Sequence, residues 1–159
     1  MTIAAILKTK GPAVLTVSRS ATLADVTTAL ASHKVGIAVV VSADGDIEGV
    51  ISERDLIRKI AAHGAAALTM AVEEAMIRNV VTATPRTTVD QAMAVMSAGR
   101  FRHLPVLDNG RLVGIISIRN AVAAKVGIQE TEVESLRAYV AGDRLGARSP
   151  SRQEEEGGG

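Results

Sequence analysis

Gly49-Val50-Ile51-Ser52-Glu53-Arg54-Asp55 reads again at Gly114-Ile115-Ile116-Ser117-Ile118-Arg119-Asn120. The echo extends well upstream. Val14-Leu15-Thr16 through Ile57 returns as Val80-Val81-Thr82 through Val122, with Thr22 over Thr88, Leu23 over Val89 and Val40 over Val106. One residue drops out at a turn, where Ser42 to Gly45 stands against Asp108 to Gly110. A duplicated unit buries its apolar face against its sister copy. The two copies are therefore expected to meet about a pseudo-twofold axis with two related clefts, and function is expected where they meet.

Each copy spells β-α-β-β-α. In copy one, Val14 to Val17 is a short apolar strand, and Thr22 with Asp25 caps a helix carrying Leu23, Val26, Ala29 and Leu30 at helical spacing. Val35 to Val41 is β-branched and nearly all apolar, as a strand buried on both faces is. Asp44-Gly45 turns the chain into Ile47 to Ile51, and Glu53 to His63 closes the copy as a helix. Copy two repeats the order with Val80 to Ala83, the capping box Thr88 to Gln91, Leu104 to Leu107, the Asn109-Gly110 turn, Leu112 to Ile116 and Arg119 to Val126. The expected organisation is an N-terminal segment over 1–13, copy one over 14–64, and a helix-compatible linker over 65–79. Copy two follows over 80–126, then an amphipathic helix over 127–141 that packs on the body or on a partner, and a polar, disordered tail over 142–159.

Composition narrows the function. At 159 residues and 47% hydrophobic, the chain is long enough to bury one domain's core, filled by aliphatic side chains because it has one Phe, one Tyr and no Trp. A net charge of +1 lacks the basic footprint of a nucleic-acid binder. The absence of cysteine excludes disulfides, thiolate metal sites and a cysteine nucleophile. Lys8 and Lys10 interrupt the apolar residues at the start, so no signal peptide is read. No apolar run approaches the roughly 18 residues of a membrane span, and a cytoplasmic protein is expected.

The repeated Gly-x-x-Ser-x-Arg sits where a strand passes into a helix. Gly49 lacks a side chain, so a ligand or another backbone has room to approach. Ser52 and Ser117 stand at helix amino termini, whose free amides attract anions. Asp55 offers an acceptor carboxylate suited to a vicinal diol, and Arg54 and Arg119 suit a phosphate. The alternative is plain helix capping by Ser and a macrodipole role for Asp. Recurrence at both junctions favours the ligand. Arg102 and His103 precede a buried strand and are placed to reach a polyphosphate across the cleft. Copy one has Gly36 and Ile37 there, so the copies are chemically unequal. The three histidines have no metal-ligand spacing, no Ser has an evident His and Asp partner, and no phosphate-binding loop is present, so no catalytic residue and no metal site are assigned.

With Thr16-Val17 ahead of Thr22-Leu23, His103-Leu104-Pro105-Val106, and the two Gly-x-x-Ser junctions, the chain resembles a tandem pair of CBS domains, a Bateman module, over about Met1 to Ala141. It is most similar to small stand-alone bacterial CBS-pair proteins. The resemblance implies an α/β (α+β) fold of two packed repeats, a homodimer, and a regulatory adenine nucleotide (AMP, ADP or ATP) or related adenosyl ligand, with no required cofactor. It further implies that Asp55 holds the ribose hydroxyls and Ser52 the phosphate or ribose. Thr16, Val17, Ile37 and Ala38 then line the adenine pocket, and Arg102 and His103 meet phosphate. Asn120 replaces the ribose aspartate in copy two, so one competent and one weaker or empty site are expected. The leading function is a nucleotide sensor acting on an unidentified separate protein partner. The competing readings are a scaffold with vestigial clefts, an enzyme, for which no nucleophile–base pair is found, and nucleic-acid binding, which the charge balance disfavours.

Overall fold

The structure, a computed structural model, describes the backbone of residues 1–157 and the side chains of residues 1–141. The elements run α1 (Ile3–Lys10), β1 (Thr16–Val17), α2 (Leu23–His33), β2 (Ile37–Val41), β3 (Ile47–Ser52) and α3 (Glu53–His63). Two 3-10 turns follow (Gly64–Thr69 and Val72–Glu74), then α4 (Val89–Gly99), β4 (His103–Asp108), β5 (Arg111–Ser117) and α5 (Ile118–Gly157). Two compact units result. Met1–Ala121 contains both sheets, and Val122–Gly159 holds most of α5. The segment expected to be a disordered tail, 142–159, lies outside the residues whose side chains are described. A break was expected at Gly127, but α5 passes through it. A single helical glycine costs only about 1 kcal/mol.

Each copy starts its first helix with a capping box. Thr22 Oγ1 accepts from the Asp25 N–H while Asp25 Oδ2 accepts from the Thr22 N–H, and Thr88 and Gln91 do the same in copy two. Thr88→Ala removes one of these bonds and should cost about 1 kcal/mol in chemical denaturation; an unchanged midpoint would show that α4 does not depend on its cap. Both helices end on a residue in the left-handed region, Lys34 in α2 and Arg100 in α4. The second hairpin turns on Asn109 and Gly110, both at positive φ, as a tight two-residue turn requires.

In copy one, β1 pairs parallel with β2, and β2 antiparallel with β3. Copy two keeps the hairpin β4–β5, but its expected first strand, Val80 to Ala83, shrinks to one parallel bridge, Ala83 to Val106. Proline chemistry explains the difference. In copy one the Val39 N–H donates to Leu15 O at 2.9 Å. The matching residue in copy two is Pro105, which has no N–H, so Val81 loses that bond. Ala83 remains tied because its N–H donates to Pro105 O at 2.9 Å and its carbonyl accepts from Leu107 N–H at 2.8 Å. The apolar faces close over Leu23, Val26, Leu30, Ala38, Val40, Ile51, Leu56, Val72 and Met76 in copy one. Val89, Ala92, Met96, Leu104, Val106 and Ile116 are their buried counterparts in copy two.

The copies exchange their leading segments. Residues 70–77, which precede copy two, pack on copy one: Leu23 N–H donates to Met70 O and Val72 N–H to Ala21 O. Residues 1–7, which precede copy one, pack on copy two by the same bonds, Val89 N–H to Met1 O and Ile3 N–H to Thr87 O. The duplication therefore extends to Met1 and Met70, upstream of where the side chains repeat. The exchange also places the start of copy two beside the β3–α3 junction of copy one.

Candidate functional site

A cleft of about 460 Å³ opens at that junction. Copy one contributes Gly36 and Ile37 from the start of β2, Val50 and Ser52 from β3, and Glu53, Arg54, Asp55 and Arg58 from α3. The linker and copy two contribute Ile77, Asn79, Val80 and Val81, then Gly99 through His103 and Pro105. The lining mixes apolar side chains, among them Ile37, Val50, Val80 and Pro105, with cationic ones. Arg54, Arg58, Arg100 and Arg102 line the cleft against two carboxylates, Glu53 and Asp55. Among the described residues the ion pair found is Arg19–Glu48, elsewhere on the surface, so none of the four arginines is neutralised by an acid within 4 Å.

Asp55 is the one buried charged residue among those described, at 7% exposure. Its Oδ2 accepts from the Ser52 N–H at 2.8 Å and the Ser52 hydroxyl at 3.0 Å, while Ser52 Oγ accepts weakly from the Asp55 N–H at 3.4 Å. The capping reading of Ser52 and Asp55 is therefore satisfied by one carboxylate oxygen. Among the described residues no hydrogen bond engages Oδ1, and no fully buried side-chain oxygen lacks a partner. Oδ1 is thus an accessible acceptor in the cleft.

Copy two builds the same box differently. Asn120 Oδ1 accepts from the Ser117 N–H at 2.9 Å and the Ser117 hydroxyl at 2.9 Å, and Ser117 Oγ accepts from the Asn120 N–H at 3.2 Å. The amide oxygen is consumed by the cap, so the group left over is the Nδ2 donor. Where copy one offers an acceptor, copy two offers the opposite polarity. Arg119 beside it is exposed.

His103 begins β4, opposite Ser117 in the ladder. Burial of its ring pushes the imidazole below the ordinary histidine value; Lys10 and Arg102 push the same way and Glu53 opposes them. The unfolded chain then takes up this proton first as pH falls, so stability is lost as pH drops below the ordinary value of 6.5 and through the lower folded one. Thermal melts should decline over that window, and the decline should flatten in His103→Gln. An identical pH profile in the variant would remove His103 from this role.

The cleft brings together Ile37, Ser52, Arg54, Asp55, Arg102 and His103 of the residues singled out from sequence. It does not include Thr16, Val17 or Ala38. Thr16 is exposed on β1, Val17 packs against the copy-one core, and Ala38 is fully buried within it. The exchange of segments is the reason: it is Val80 and Val81, at the start of copy two, that line the cleft with Asp55. Gly49 serves a backbone and not the cleft, because a Cβ there would lie 2.8 Å from Ile77 O and 2.9 Å from Met76 Sδ. Ser117, Arg119 and Asn120 occupy the pseudo-equivalent place in copy two. Sequence reasoning missed Arg58 and Phe101. Arg58 lies one turn beyond Asp55 on α3, a spacing that signals a shared face. Phe101, the lone phenylalanine, lies over Gly99, where a Cβ would come within 2.0 Å of its ring. Among the described residues no cluster of three or more His, Asp or Glu is placed to hold a metal, and no helix is long and apolar enough to cross a membrane.

The sequence model of the CBS domain matches residues 9–62 and 72–127. The CBS domain-containing protein CBSX3, mitochondrial, of Arabidopsis thaliana is 33% identical over 149 residues, which covers 89% of this chain and 72% of that protein. The crystal structure of the CBS-domain containing protein ATU1752 from Agrobacterium tumefaciens superposes with a TM-score of 0.76 at 44% identity, covering 78% of this chain and 92% of the other. The CBS domain pair of protein MJ0100, solved in complex with 5′-methylthioadenosine and S-adenosyl-L-methionine, superposes with a TM-score of 0.70 at 26% identity, covering 80% and 97%. Such pairs are regulatory ligand-binding modules, generally not catalysts. Two matched repeats, the β-α-β-β-α order and the cleft between copies agree, and the chain belongs to the CBS-domain family as a tandem pair.

Proposed function

We propose that the cleft binds a phosphate-bearing adenosine ligand and that its occupancy signals to a separate protein partner through a change in conformation or homodimer assembly. The observation that carries this reading is one cavity combining apolar lining, the Asp55 Oδ1 and four arginines, none of these polar groups paired among the described residues. Apolar lining suits a purine, a carboxylate oxygen suits a ribose diol, and guanidinium forks suit phosphate. The adenosyl ligands of the MJ0100 pair support the nucleoside part. The charge of the cleft favours AMP, ADP or ATP over a cationic sulfonium.

A ligand shifts an equilibrium only by its differential affinity for the two states. A nucleotide held by Asp55 of copy one and by Arg102 and His103 of copy two binds best when the copies stand at one spacing. It therefore selects that arrangement.

The test is calorimetric titration with AMP, ADP, ATP, NAD, 5′-methylthioadenosine and S-adenosylmethionine, with light scattering alongside. Saturable binding is expected for phosphate-bearing ligands and should weaken with salt. Tighter binding of S-adenosylmethionine would overturn the phosphate assignment. No binding by any of the six would favour a scaffold whose clefts are vestigial.

A further inference from the structure

We infer that Lys10 and Asn120 together close the pseudo-equivalent cleft of copy two to adenosine ligands, leaving the chain with one such site. This rests on the reading of the Asp55 cleft above, but it turns on Lys10, Ile115 and Asn120, which lie outside that cleft.

At the Asp55 cleft the strand edge of β3 is covered by backbone. Ile77 N–H donates to Val50 O at 2.8 Å, and Val50 N–H returns a bond to Ile77 O at 3.0 Å. The chain then continues outward as cleft wall, through Asn79 to Val81. In copy two, α1 takes the matching position over β5. Leu7 approaches Gly114 as Met76 approaches Gly49. The difference comes at Ile115, the counterpart of Val50. Its carbonyl accepts from the Lys10 ammonium instead of from a backbone N–H.

Lys10 is thereby anchored on the floor strand of the second cleft. Partial burial of the ammonium holds its pKa below the ordinary lysine value. Its charge is felt at His103, which pairs with Ser117, the residue that Asn120 caps. Ser117 lies two residues beyond Ile115 on β5, His103 pairs with Ser117 and Asn120 caps onto it, so these residues share one corner, and the Lys10 ammonium is bonded to the strand that forms it. The corner presents a cation and the Asn120 Nδ2 donor, with no counterpart of the Asp55 carboxylate. Arg58, which faces the first cleft, is matched in sequence by Ala123. A ribose diol finds no counterpart of the Asp55 carboxylate here, and the strand carbonyl of Ile115 already holds a cation.

The two substitutions that reverse this are Lys10→Ala, which clears the floor, and Asn120→Asp, which reproduces Asp55 and keeps the cap. They are best read in an Asp55→Asn background, where binding at the first cleft is weakened. Asp55→Asn/Lys10→Ala/Asn120→Asp should bind an adenosine nucleotide at least about tenfold tighter than Asp55→Asn alone, and about tenfold tighter than Asp55→Asn/Asn120→Asp, in which Lys10 remains. Circular dichroism and thermal melts on all three establish that they fold. Equal affinity with and without Lys10 overturns the blocking role, as does a folded triple variant with no gain in binding. Two equal sites in the wild-type chain overturn it as well. If the wild-type chain binds none of the nucleotides, the reading of the Asp55 cleft fails, while the triple variant still decides whether copy two becomes a site.

Discussion

Asp55→Asn is expected to weaken nucleotide binding by about 10- to 100-fold, the worth of a hydrogen bond to a charged group at 1.5–3 kcal/mol. It should leave stability changed by less than about 1 kcal/mol. Copy two supplies the reason for the second half. Asn120 makes the same three bonds with Ser117 that Asp55 makes with Ser52. An asparagine at 55 therefore keeps the start of α3 while turning a free acceptor into a donor. Asp55→Ala confuses the two effects, because it also removes the reciprocal bonds of the box, a loss of about 1 kcal/mol. Titration and thermal melts on the two variants separate them. Wild-type affinity in a folded Asp55→Asn variant would remove the carboxylate from the binding account.

Gly49→Ala should destabilise the chain by about 1–3 kcal/mol, and more than Gly114→Ala does. Both glycines occupy the same place in their strands, but their neighbours differ. The new Cβ at Gly49 meets the carbonyl oxygen of Ile77 at 2.8 Å, and that carbonyl is fixed by its bond to Val50. At Gly114 the new Cβ meets the Leu7 Cδ2 methyl at 2.7 Å, the end of a side chain with other rotamers. Displacing Ile77 also moves a wall of the cleft, so nucleotide affinity should fall with stability only for Gly49→Ala. Equal destabilisation by the two substitutions in chemical denaturation would show that the linker backbone yields as easily as a leucine side chain.

The duplication was legible because the strand-to-helix junctions carry distinctive residues: Gly, Ser and Arg recur at both. The capping boxes at Thr22 and Thr88 were legible for the same reason, since few residue types make those bonds, and Ser52 was legible as a helix cap, though not the bond its N–H gives back to Asp55. The leading segments were not. Met1-Thr2-Ile3 and Met70-Ala71-Val72 share little beyond apolar character, and their equivalence lies in backbone bonds that any residue makes. Without that exchange, Thr16 and Val17 look like the partners of Asp55, when the residues that line the cleft with it are Val80 and Val81. An alignment of copies states which residues correspond; it does not state which copy each cleft draws upon. Pro105 was visible, but its consequence, a first strand reduced to Ala83, required the pairing register. The replacement of Asp55 by Asn120 was visible too. That the amide oxygen is spent on the cap, so that the exposed group is a donor, follows only from the hydrogen bonds.

The most direct measurement is a crystal structure of the wild-type protein grown with saturating AMP or ATP. One nucleotide per chain is expected, with its ribose hydroxyls on Asp55 Oδ1, its base over Ile37, Val80 and Val81, and its phosphates toward Arg102 and His103. A nucleotide bound instead at the Ser117–Asn120 junction, or one bound outside both clefts while the Asp55 cleft stays empty, would contradict it.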